Sequence, residues 1–106
     1  MSNVTDCILL FDIMEDEEFV ACEVNCFFLD DERQQFMCPA DVKGAVGGYK
    51  QMQQPVMMSA INYLDEDGFI EHLRSIEWRE PNKVQLLLCR EDDSEFELIY
   101  PCRKSP

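Results

Sequence analysis

Apolar positions along this chain fall mostly into runs of strand length, with one stretch at helical spacing. Residues 4–13, VTDCILLFDI, are dense in β-formers and too short to argue for a helix, and the acids Glu15, Asp16, Glu17 and Glu18 then end the run. The pattern predicts a strand followed by a turn. Residues 19–29, FVACEVNCFFL, place Val20, Cys22, Val24, Cys26 and Phe28 on one side and Ala21, Glu23 and Asn25 on the other. That period of two predicts a half-buried strand, paired with the first as a hairpin. Asp30, Asp31 and Glu32 make a second turn, and QQFMC at 34–38 returns as a shorter strand that Pro39 stops.

The middle of the chain differs. Residues 42–64, VKGAVGGYKQMQQPVMMSAINYL, contain no acid, and all 22 acidic residues lie to either side. Gly44, Gly47 and Gly48 make regular structure costly and predict a mobile loop at 42–50. From Pro55 the text is strand-like, with Val56, Met58 and Ala60 alternating against Met57, Ser59 and Ile61; a short helix competes. Met57, Met58, Ile61, Tyr63 and Leu64 are expected in the core, where a charge would be costly.

Residues 66–78 carry the helical stripe, Phe69, Ile70, Leu73 and Ile76, with Asp65 or Asp67 as the cap and acids in the first turn. Pro81 and Asn82 end it, and KVQLLLCRE and SEFELIY around Asp92 and Asp93 predict a hairpin. The expected fold is therefore α+β: one domain over residues 1–106, an antiparallel sheet of about five or six strands, one main helix on one face and a C-terminal β-hairpin.

Composition narrows the function classes. At 106 residues with 46 % hydrophobic content the chain has enough apolar material for a core. Six cysteines lack the export signal that a disulfide framework would accompany, and no run approaches the roughly 18 apolar residues of a membrane span, so free thiols in a reducing cytoplasm are expected. A net charge of −13 repels nucleic acid and anionic membranes and suits a basic partner.

Recurrent chemistries fit poorly. The glycines have the wrong spacing for a phosphate-binding loop and Tyr49–Lys50 follow them. On a strand, Cys22 and Cys26 would stand about 13 Å apart, too far to share an ion. His72 has no second histidine at ligand spacing, and the DEDG at 65–68 has its glycine too early for a calcium loop. A nucleophilic thiol beside His72 is the residual enzymatic possibility. No catalytic residue, metal or cofactor is expected.

What remains is the grouping of acids at predicted turns and at the helix start. Glu15, Asp16, Glu17 and Glu18, then Asp30, Asp31 and Glu32, then Asp65, Glu66 and Asp67, then Asp92, Asp93 and Glu95 are the candidate partner-binding residues. Such clusters steer a cationic partner, and outward aromatics such as Phe27 or Tyr100 would supply a desolvated centre.

Small size, strong acidity, reduced thiols and the lack of a catalytic motif resemble the immunity proteins of bacterial toxin systems, including those of contact-dependent growth inhibition. The resemblance is one of composition over the whole chain. It implies a cytoplasmic protein that occludes the cleft of a basic nuclease-type toxin, its acids standing in for phosphates. An acidic secretion chaperone and a nucleic-acid mimic are the alternatives, with an enzyme behind both.

Overall fold

The computed structural model describes residues 3–30, 32, 34–40 and 54–103. The expected N-terminal strand is β1, Val4–Leu10, and it is followed by helix α1, Glu17–Asn25, and the two-residue strand β2, Cys38–Pro39. Then come β3, Val56–Asn62, helix α2, Glu66–Ser75, and the hairpin strands β4, Gln85–Arg90, and β5, Glu97–Ile99. The sheet has five strands in the order β2-β3-β1-β4-β5, every neighbouring pair antiparallel. The fold is α+β, as the sequence pattern predicts.

β1 is the axis of this sheet. Cys7 stands opposite Ser59 on β3 and Leu88 on β4, and Leu9 opposite Met57 and Leu86. Thr5, Cys7 and Leu9 are buried with Met57, Ile61, Leu86 and Leu88, and these side chains share one face. Val20, Val24 and Phe28 from the first helical segment and Phe69, Leu73 and Ile76 from the second complete the same core. Phe27, Phe28 and Phe69 form an aromatic group with ring centroids 5.2–5.5 Å apart, which packs the two helical segments together over the sheet.

The largest departure from expectation is at 19–29, which is helix α1 plus a 3-10 turn at Cys26–Phe28 rather than a strand. Val20, Val24 and Phe28 recur every four residues, so they satisfy a period of two and also one face of a helix. The local end signal decides between them. Asp16 accepts from the amides of Glu18 at 3.1 Å and Phe19 at 3.2 Å, and Glu17 and Glu18 fill the first turn where the helix dipole favours acids. The acids expected to end a strand instead begin a helix, and β1 takes β3 and β4 as its partners.

Elsewhere the differences are smaller. Within residues 55–64, Val56–Asn62 is strand rather than the competing short helix, but only Met57 and Ile61 reach the core fully; Met58 and Tyr63 are exposed. The return strand at 34–38 shrinks to β2, where Pro39 lies on the sheet edge rather than after it. Asn25 holds this segment to α1, donating to Met37 O at 2.9 Å and accepting from Met37 N at 2.7 Å. α2 ends at Ser75, shorter than 66–78, and the Trp78 indole donates to the Leu73 carbonyl of its last turn at 2.8 Å. Asp65, not Asp67, is the cap: it accepts from the amide of Gly68, where an added Cβ would sit 2.3 Å from the carboxylate. The loop expected at 42–50 lies outside the described residues.

Among the described residues one side of the sheet is covered and the other is not, which predicts unequal mutational costs. Leu9→Ala, at the axis of the core, is expected to cost about 2–5 kcal/mol in chemical denaturation. Met58→Ala, on the other face, should stay within about 0.5 kcal/mol.

Candidate functional site

The predicted partner-binding acids divide into groups with different work. Glu15 is buried, and its carboxylate accepts from the backbone amides of Arg79 at 3.0 Å and Glu80 at 2.8 Å, bolting the β1–α1 connection to the loop after α2. Asp16 and Asp65 are helix caps. Glu66 and Asp93 are bound to Arg90, whose Nε lies 2.9 Å from Glu66 Oε2 and whose Nη1 lies 3.2 Å from Asp93 Oδ2. Glu97 completes this network at 2.9 Å from Nη2. These carboxylate bonds push the Arg90 guanidinium further up, while the Arg90 amide and then its side chain hold Asp93 below the usual carboxylate range.

Glu17, Glu18, Asp67, Asp92 and Glu95 are exposed, with no bonding partner for their carboxylates among the described residues. Asp30 and Glu32 are exposed in the turn that follows the 3-10 segment Cys26–Phe28, and Asp31 lies outside the described residues. The fold thus leaves acids at the start of each helix and at the β4–β5 turn, rather than gathering all of them at one place.

The sequence pattern did not reveal a second feature. On the face of the sheet away from the helices, register aligns Cys38, Met58, Ile8, Leu87 and Leu98 in one row across all five strands. Met58 is 45 % and Leu98 47 % exposed, and Phe96 is 45 % exposed. Phe96 lines a hollow of about 330 Å³ with Asp6, Ile8, Met58 and Ala60, and it also lines the acidic hollow of Asp92, Asp93 and Glu95. The apolar face and the acidic turn are therefore continuous through one ring.

The aromatics expected to face outward do not. Phe27 packs against Phe28, Phe69 and His72, and Tyr100 lies under the Arg103 guanidinium and takes a hydrogen bond from Gln85. The exposed aromatics among the described residues are Phe19, Phe36, Tyr63 and Phe96, and of these Phe96 borders the sheet face. A separate hollow of about 690 Å³ is lined by Arg74, Trp78, Cys102 and Arg103, but both arginines are held by neighbours: Arg74 by Glu71 and the Pro101 carbonyl, Arg103 by the Asn82 carbonyl.

All six cysteines are free. On α1, Cys22 and Cys26 are one turn apart rather than separated along a strand, which corrects the distance of about 13 Å; helical neighbours at this spacing have Cβ atoms about 5–6 Å apart. The Cys26 thiol is held above its ordinary range by desolvation and by Cys22 and Glu23, which disfavours the thiolate that would ligate a metal. No group of three or more His, Cys, Asp or Glu side chains among the described residues is arranged to hold a metal ion. His72 donates from its ring to the Glu23 carbonyl at 2.6 Å, joining α2 to α1. No described helix is long and apolar enough to cross a membrane. The chain matches no family model, no curated protein and no solved structure.

Two outcomes test this partition. Glu15→Gln leaves the Arg79 and Glu80 amides poorly served and should cost about 1–3 kcal/mol in urea denaturation, whereas Glu17→Gln should stay within about 0.5 kcal/mol. Burial, with Asp6 and Glu66 nearby, raises the Cys7 thiol from 9.0 to about 12. The fold therefore favours the neutral thiol: this contribution is whole below about 9 and is lost as pH rises through about 12. Stability measured at increasing alkaline pH should decline over that window, and Cys7→Ala should shallow the decline.

Proposed function

We propose that the chain is an immunity-type inhibitor, a small acidic binding protein that neutralises a basic nuclease-type toxin by covering its substrate cleft. The observation that carries this is the surplus of acid: the chain has a net charge of −13, and Glu17, Glu18, Asp67, Asp92 and Glu95 remain solvent-facing after the fold has used Glu15, Asp16, Asp65, Glu66 and Asp93 internally. Exposed like charges do not stabilise a fold, and they raise the encounter rate with a cationic surface. The carboxylates take the place of substrate phosphates, and catalysis is not part of the role.

The apolar row of exposed Met58 and Leu98 with half-buried Ile8 and Leu87 favours a second reading, an acidic secretion chaperone that holds an unfolded client. A chaperone of this kind would dimerise and bind extended segments of its client, whereas an inhibitor binds one folded partner.

Capture from host lysate at low and high salt, followed by mass spectrometry, separates these. One stoichiometric basic protein whose toxic activity falls on adding this chain is the expected result. With that protein purified, Asp92→Lys together with Glu95→Lys should slow association by about tenfold at low salt and flatten its salt dependence. An unaltered rate removes the β4–β5 turn from the steering surface.

A further inference from the structure

Proteins of this size usually keep their exposed apolar groups scattered, and the outward face of this sheet does not. Its positions include Ile8 and Leu10 on β1, Val56, Met58 and Ala60 on β3, Leu87 on β4 and Leu98 on β5. Five strands span about 19 Å between their outer axes and β1 runs about 20 Å, so the face presents on the order of 400 Å². With Asp6, Asn62 and Gln85 also on it, the apolar part is about the size of the largest apolar patch on an ordinary monomer, which is often a functional one. A specific interface needs about 800 Å² on each side, so the apolar face supplies roughly half and its surroundings must supply the rest.

We propose that this open face, with Phe96 at its margin, is the docking surface for a folded basic protein partner; the proposal rests on the inhibitor role above and names the surface that carries it. Charge complementarity identifies the occupant. The outward strand positions hold no lysine or arginine, and their one formal charge is Asp6. Phe96 connects the face to Asp92 and Glu95, whose carboxylates have no partner among the described residues. An apolar centre bordered by acid fits a protein surface on which Lys and Arg flank a few apolar side chains. A second copy fits poorly, because it would set one −13 chain against another and bring the two acidic margins together. Phe96, a half-exposed aromatic where the two regions meet, has the placement of an anchor residue.

The probe is a disulfide-closed β-hairpin peptide of alternating lysine and leucine, which presents a preformed surface, with a lysine-free serine–leucine hairpin peptide as control, followed by NMR on isotopically labelled full-length protein. Shifts induced by the lysine–leucine peptide are expected at Ile8, Met58, Leu87, Phe96 and Leu98. Phe96→Ser and, separately, Met58→Gln should each weaken binding by about tenfold, whereas Glu77→Gln, at an exposed position just past α2, changes it less than about twofold. Both surface variants are exposed in the folded chain, and an unchanged thermal midpoint confirms that they fold. Shifts confined to the helix starts would overturn the proposed surface while leaving a basic partner in place. Equal binding of the serine–leucine peptide at the face would keep the surface and remove the basic partner. Self-association that Met58→Gln abolishes would assign the face to a second copy and overturn the proposal, as would the absence of any shift.

Discussion

A sheet buries a face only where another layer about 10 Å thick lies on it, and the described residues supply that layer on one face. Helices of nine and ten residues are each about 15 Å long and about 10 Å across, so side by side they match one face of a sheet about 19 Å wide. Both contribute to the same core, with Val20, Val24, Phe69 and Leu73 meeting Cys7, Leu9, Met57 and Leu88. Apolar residues nevertheless occupy both faces of β1, and the second set, around Ile8, is left near solvent. From this one-sided cover follow the buried Cys7, the aromatic group that packs the helical segments together, and the contact surface inferred for the other side.

The acids divide along the same boundary between holding the fold and facing outward. A buried carboxylate is costly unless it is bonded, and Glu15 meets that requirement by closing the Arg79 and Glu80 amides. Arg90 gathers Glu66, Asp93 and Glu97, tying the start of α2 to the β4–β5 hairpin through a half-buried cation. Replacing such acids would damage the fold and imitate a loss of binding. Asp92 and Glu95 have no such duty, which makes them cleaner reporters of electrostatic steering.

Much of the architecture was legible in the sequence, for identifiable reasons. α2 and the β4–β5 hairpin each carry one clear period, β3 took the strand alternative against a competing short helix, and Asp65 is the cap of the two acids, Asp65 and Asp67, that the helix start offered. Residues 19–29 were not legible by periodicity, because Val20, Val24 and Phe28 fit both templates and Cys22 and Cys26 made the strand look complete; the Asp16 cap was the missed signal. The open face was hidden for a related reason. A run such as CILLF is apolar at every position, so it does not say which side the helices will cover. Charge grouping identified acids correctly as a surface theme, but it could not separate Glu15, which faces inward, from Glu17 beside it.

In the docking surface proposed, the acidic β4–β5 turn beside the apolar face would join fast encounter to desolvated contact, which neither feature achieves alone. That combination depends on the second face of the sheet being open in the free protein. Methyl NMR with a soluble paramagnetic agent measures this directly. Strong relaxation at Ile8, Met58, Leu87 and Leu98, with protection at Leu9, Met57, Leu86 and Leu88, is the predicted result. Equal protection of both sets would mean that the face is covered in solution and would contradict the account.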